Sequence, residues 1–260
     1  MIAEIKGKIS RSGSNLTERL EDNLTGNVFG VLRYLPFSIA MGKILANGVY
    51  PKFVGDKIRN IKCEFWADKI QFWPYNQEGE IDALIEFQNT IIGIEVKYIS
   101  GLSSDDDISN NKDNEDTNKK EMKKSINQLA RESRILSQKG KHKKKILLFI
   151  ADRHSCKEIY ENILKRNILE NNVEFGYISW QDILFQLKSL HVTDSYYQVI
   201  INDIIALLKR KGFEDFTNMN IEVPKSINGD EYFLFDIDNK VKIRFHTELI
   251  IDGGLYHEFS

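Results

Sequence analysis

Glu95 and Lys97 stand two residues apart in the run IIGIEVKYI (Ile91–Ile99), which is otherwise apolar. Side chains alternate faces along an extended strand, so these two project together while Ile94, Val96 and Tyr98 take the other face. Charges placed in so apolar a strand are costly unless they meet partners. Asp82 lies on the preceding run GEIDALIEF and reaches the same face if the two runs form a hairpin through Gln88-Asn89-Thr90. Two carboxylates and an ammonium group would then share one site, and that grouping suits phosphodiester hydrolysis. Magnesium takes hard oxygen ligands, commonly one or two carboxylates with waters and substrate phosphate. It neutralises charge in the transition state and lowers the pKa of a bound water. A neighbouring lysine orients the attacking water and stabilises developing negative charge. The plainer alternative for Glu95 and Lys97 is a cross-strand ion pair on a solvated sheet face. It accounts less well for the pair once Asp82 is added.

The order Ile81-Asp82, a short hairpin, then Glu95-Val96-Lys97 resembles the PD-(D/E)xK nuclease superfamily, which includes restriction endonucleases, Holliday-junction resolvases and anti-phage effector nucleases. Ile81 departs from the proline of the motif's name. The resemblance spans roughly residues 16 to 178, with specific residues matched at five positions. It implies an α/β restriction-endonuclease-like core, with a mixed central sheet flanked by helices. It also implies Mg2+, with Mn2+ as a substitute, held by Asp82, Glu95, the main-chain carbonyl of Val96 and a glutamate on the first helix. Glu21, in LEDNLTGNVF, is the best match for that glutamate, with Glu18 and Asp22 as competitors. The family often carries a glutamine on the helix after the lysine strand. Gln128, in INQLARES, fits that place, with Arg131 one turn on. Lys97 would act on the attacking water, and Gln128 would orient it or contact the scissile phosphate. The implied activity is a Mg-dependent endonuclease acting on DNA, double-stranded by expectation, as the effector of a restriction or anti-phage defence system. It would work as a homo-oligomer or as a subunit of a larger defence complex. The rival reading is a non-catalytic nuclease-fold subunit for DNA binding or assembly; the retention of three costly charges counts against it.

The elements that must position these residues follow from periodicity. Leu16, Leu20, Leu24, Val28, Val31 and Leu35 form one face of a helix over 15–35, which Pro36 stops. Strand signals begin at Ile61, with an aromatic-rich run from Cys63 to Tyr75, then Glu80–Phe87 and Ile91–Ile99. Lys119–Gln138 reads as a helix with Met122, Ile126, Leu129 and Leu136 on its apolar side. KILLFIAD (Lys145–Asp152) reads as a central buried strand. His154–Arg166 reads as a helix and Val173–Ile178 as a strand, after which Ser179 caps another helix. Ser195–Arg210, apolar on most faces, is expected to be a largely buried helix. Helix alternating with strand in this half implies parallel pairing. Residues 1–212 are expected to form the nuclease-like domain. Residues 213–260 are expected to form a C-terminal extension with a small β-hairpin, YFLFDI and VKIRFH, packed on that core.

Composition limits the alternatives. The chain has 260 residues, 42% of them hydrophobic, enough for one large α/β domain with a sizeable core. A formal charge of −2 does not advertise a nucleic-acid binder, so any such surface must be a local basic patch. Lys119, Lys120, Lys123 and Lys124 are better placed for it than KGKHKKK (Lys139–Lys145), which reads equally well as a solvated helix end and strand start. Segment 101–118 is polar and acidic and reads as a long mobile loop. Two cysteines with no CxxC or Cys/His cluster argue against structural zinc and a disulfide framework. No apolar h-region opens the sequence and no membrane span is expected, which makes a cytoplasmic setting the default.

Overall fold

The computed structural model describes residues 21–98 and 125–215. By compactness the chain divides at Asp215/Phe216 into two units. The second, which holds the expected hairpin, lies outside the described residues, as do segment 99–124 and residues 1–20.

A five-stranded mixed sheet organises the first unit, in the order β1 (Ile70–Phe72), β4 (Ala83–Glu86), β5 (Thr90–Val96), β6 (Lys144–Ala151), β7 (Val173–Ser179). β1, β4 and β5 run antiparallel to their neighbours, whereas β5, β6 and β7 are parallel. A two-stranded ribbon, β2 (Tyr75–Asn76) with β3 (Gly79–Glu80), sits between β1 and β4 in the chain. The parallel half arises because β5, β6 and β7 are near-continuous apolar runs. Such strands are stable only with both faces covered.

Both faces are covered, by different helices. Ala83, Ile85, Ile92, Ile94, Val96, Ile146, Leu148 and Ile150 point into the larger core. It is shared by α1 (Glu21–Leu32), α2 (Met41–Gly48), α3 (Lys52–Arg59), α6 (Trp180–Lys188) and α7 (Ser195–Arg210). Leu84, Ile91, Leu147 and Phe149 point the other way, into a smaller core closed by α4 (Gln128–Lys139) and α5 (Arg153–Arg166). By alternation Gly93 and Glu95 face α4.

The structure departs from the periodicity in four places. The run from Cys63 to Tyr75 forms the three-residue strand β1 and, at Tyr75, the start of the two-residue β2. Trp66 ahead of it is buried in a loop and donates its indole N–H to the Leu35 carbonyl. Trp73 behind it takes φ 49, which breaks the extended chain. Helices α2 and α3, each of eight residues, are too short to register as periodic patterns. Helix α4 begins at Gln128, because the Asn127 side chain accepts from the amides of Leu129 and Ala130 and so caps it there. Ile126, expected on the apolar face of that helix, precedes it and is exposed. Finally, α7 buries only the stripe Ile201, Ile204, Leu207 and Leu208, while Tyr196 and Val199 face solvent. The Ser179 cap is as expected, and is reinforced by the reciprocal bond from its own amide to Asp182.

Candidate active site

The register of the hairpin brings the charged residues together. Ala83 pairs with Ile94 at the last rung of the β4–β5 ladder. One residue further, Asp82 stands opposite Glu95, and directly opposed residues of an antiparallel pair share a face. Beyond that rung β5 continues without β4, so its amides on that side need other acceptors. Carboxylates fill the role: Val96 N donates to Asp82 Oδ2 at 2.8 Å, and Tyr98 N donates to Glu21 Oε2 at 3.2 Å. The intervening amide, Lys97 N, turns the opposite way and donates to the Ile150 carbonyl at 2.6 Å. The Lys97 carbonyl accepts the indole N–H of the buried Trp180 at 2.9 Å. The end of β5 thus holds Asp82 and Glu21 by their oxygens and is itself held at Lys97 from two sides.

The side chains converge on Glu95. Lys97 Nζ lies 2.7 Å from Glu95 Oε1 and 3.6 Å from Glu21 Oε2. Gln128 Nε2 donates to the same Glu95 oxygen at 2.6 Å. Glu95 is 1% exposed and Lys97 8%. A solvated surface ion pair is therefore excluded for these two residues. All five side chains expected at the site, Glu21, Asp82, Glu95, Lys97 and Gln128, are brought together. Of the competitors for the first-helix glutamate, Asp22 faces solvent and Glu18 lies outside the described residues. Arg131 is engaged elsewhere: its guanidinium donates to the Glu78 carbonyl at 2.7 Å, and Arg134 pairs with the Glu78 carboxylate at 2.9 Å. Both arginines thereby tie the β2–β3 ribbon to α4. Glu86 shares Asp82's face, but is paired with Lys143.

One residue of the cluster lies outside the expected motif. Glu132, four residues after Gln128 and so on the same side of α4, is 1% exposed, and among the described residues neither of its oxygens receives a hydrogen bond. Its carboxyl stands against Glu95 and Gln128. The helical spacing from Gln128 is the signal in the sequence that could have found it. α4 packs closely over Gly93, two residues before Glu95 on the same face. A Cβ there would lie 3.1 Å from Leu136 Cδ1.

Electrostatics follow from this crowding. Burial, then the charge of Glu95, pushes the Asp82 carboxyl up to about 8, against the opposing bond from Val96 N and the charge of Lys97. Burial, and after it Glu95, raises Glu132 well above the ordinary carboxylate range. Burial by itself would lower Lys97, but the charge and hydrogen bond of Glu95, with Glu21 and Asp82, outweigh it and raise the ammonium pKa. Lys97 is therefore a cation at neutral pH, not a proton acceptor.

The donor set fits a divalent cation. Among the described residues no three His, Cys, Asp or Glu side chains form a ready-made cage. Magnesium does not need one, since it usually keeps several waters and uses one or two carboxylates. Asp82 uses Oδ2 and Glu95 uses Oε1 in the bonds above.

No curated protein and no solved structure matches the chain. The family model NERD, nuclease-related domain, matches residues 53–154, a span that contains Asp82, Glu95, Lys97, Gln128 and Glu132 but not Glu21. Among the described residues no helix is long and apolar enough to cross a membrane. Residues 53–154 thus resemble a nuclease-related domain, a kind of domain grouped with the PD-(D/E)xK-like nucleases, and the mixed five-stranded sheet flanked by helices is consistent with a restriction-endonuclease-like fold.

Proposed function

We propose that the chain is a divalent-metal-dependent endonuclease that hydrolyses phosphodiester bonds in DNA. The observation that carries this reading is the convergence of Asp82, Glu95 and Lys97 at the end of β5, with Glu21 and Gln128 beside them. Asp82, Glu95, the Val96 carbonyl and Glu21 would hold Mg2+, or Mn2+ in its place. When bound, the cation supplies charge neutralisation at the phosphate and lowers the pKa of a water.

The protein's own part is positioning and charge. Lys97, protonated and 2.7 Å from Glu95, presents N–H donors to the attacking water or to a phosphate oxygen. It does not take the proton. Gln128 holds Glu95 Oε1 and so fixes which Glu95 oxygen remains for the cation. Trp180 and Ile150 fix the Lys97 backbone, so the ammonium is aimed from a rigid base. A role as effector of a restriction or anti-phage system, in a homo-oligomer or larger complex, fits this activity and rests on the superfamily resemblance.

The test is a cleavage assay with plasmid DNA, linear duplex, single-stranded DNA and RNA, in Mg2+, in Mn2+ and in EDTA. Metal-dependent cutting of DNA is expected, with none in EDTA. Cutting that persists in EDTA would overturn the metal reading, and cutting confined to RNA would overturn the DNA assignment.

A further inference from the structure

Among the described residues, Glu132 is the one carboxyl of the cluster with neither oxygen in a well-formed hydrogen bond, although it lies close enough to Glu95 and Gln128 to interact with both. It is 1% exposed, on the same side of α4 as Gln128, and its carboxyl stands against Glu95 and Gln128, with Asp82 near enough to act on it electrostatically. A buried carboxyl with no hydrogen-bond donor is destabilising, and a second carboxylate beside it adds to the cost. α4 approaches β5 closely at Gly93, where an added Cβ would lie 3.1 Å from Leu136 Cδ1.

Neither ion pairing nor helix capping accounts for a carboxyl at this place. Among the described residues no basic side chain pairs with Glu132, because Lys97 is taken by Glu95 and Glu21. Arg134, two residues further along the same helix, turns to Glu78. Glu132 caps no helix: Asn127 caps α4. Gln128, which lies beside Glu132, makes its short hydrogen bond from Nε2 to Glu95 at 2.6 Å. The charge balance is lopsided as well. Glu95, Glu21 and Asp82 surround Lys97, Glu132 stands against Glu95, and neither Asp82 nor Glu132 has an ion pair among the described residues. A compact, doubly charged cation is the chemical species that such a group of oxygens lacks.

We propose that Glu132 belongs to the cation site, as a carboxylate from α4 that faces a divalent cation carried by Asp82 and Glu95. The inference rests on the metal-dependent reading above and extends it to a residue outside the expected motif. Glu132 supplies negative charge and acceptor oxygens to the cation's surroundings. Residues in such a supporting position commonly change metal affinity by about 10–100-fold when substituted.

The experiment is calorimetric titration of the full chain with Mn2+, comparing wild type, Glu132→Gln and Glu95→Gln, together with melting temperatures in EDTA. Glutamine keeps the size of Glu132 and brings its own N–H donors, so Glu132→Gln is expected to melt in EDTA at or above the wild-type temperature. It should bind Mn2+ at least 10-fold more weakly, and Mn2+ should raise its melting temperature less. Mn2+ affinity within twofold of wild type, alongside loss of binding in Glu95→Gln, would overturn the role of Glu132 and leave the metal centre standing. A lower melting temperature in EDTA with unchanged affinity would mark a purely structural residue and also overturn it. Absence of Mn2+ binding by wild type would overturn both this inference and the metal-dependent reading beneath it.

Discussion

Asp82 is the residue at which charge, burial and hydrogen bonding meet most tightly. Its carboxyl, raised to about 8 by burial and by Glu95, binds a proton in the folded protein over a pH range where the unfolded chain has already released it. The folded state then holds more protons than the unfolded state, so stability falls as pH rises from about 4 to about 8. The metal-free protein in EDTA is therefore expected to lose stability across this window, on the order of a few kcal/mol, and Glu132 changes in the same sense. Asp82→Asn keeps an acceptor for Val96 N and removes the titration. Urea midpoints from pH 5 to 8.5 should fall for wild type and fall less steeply for Asp82→Asn, with the remaining slope due to Glu132. Parallel curves would show that Asp82 is not the source. The motif residues are legible in the sequence because a strand's alternation and two charges in an apolar run are local signals. Glu132 is harder to find, since its meaning depends on how closely α4 approaches β5. Trp180 reads as core and is core, but its hold on the Lys97 carbonyl is a tertiary fact.

At the scale of elements, the site depends on the contact between β5 and α4. Gly93 meets Leu136 and Glu95 meets Gln128, so the sheet and the helix are matched residue by residue along one face. Leu136 is fully buried and has little room to yield. Gly93→Val is expected to push the helix away, costing about 1–3 kcal/mol of stability and lowering metal-dependent cleavage at least 10-fold. Denaturant midpoints and cleavage rates check this; a stable, fully active Gly93→Val would show that the close approach is dispensable. The cap at Asn127 makes a second, milder test. Asn127→Ala should cost about 1 kcal/mol and loosen Gln128 at the helix start, read as a lower denaturant midpoint; an unchanged midpoint would contradict the capping role. Long or continuous apolar segments such as β6 and α5 are readable in the sequence. The short helices α2 and α3 and the broken run before Tyr75 are not, because packing against distant residues decides their conformation.

Across the whole molecule, the chemistry gathers at one end of the sheet. Glu95 and Lys97 close β5 at the end where β6 reaches Ala151, and Asp82 enters β4 there. Open α/β sheets commonly bind ligands at the carboxyl ends of their parallel strands. The basic run Lys139–Lys145 lies at the other end, where Lys144 pairs with Thr90. Five residues of strand separate that rung from Glu95, roughly 17 Å at about 3.3 Å per residue. A cavity of about 290 Å3 lined by Lys57, Lys62, Lys144 and Asn89 opens at this far end. Lys141→Ala with Lys144→Ala is therefore expected to leave DNA cleavage within twofold of wild type. A large loss would place part of the substrate path there. The mixed α/β architecture and the parallel half are legible from strand–helix alternation. The separation of the lysine run from the site is not, since it depends on strand direction and register.

Lys97 is where the proposed chemistry is most directly exposed to test. Single-turnover cleavage of duplex DNA in Mg2+ should be compared for wild type and Lys97→Ala, with circular dichroism and melting curves establishing that the variant is folded. Measurable cutting by wild type and a loss of at least 100-fold in the folded variant are expected. Robust cleavage by Lys97→Ala, or no metal-dependent cleavage by wild type, would contradict the assignment of this site as a metal-dependent nuclease centre.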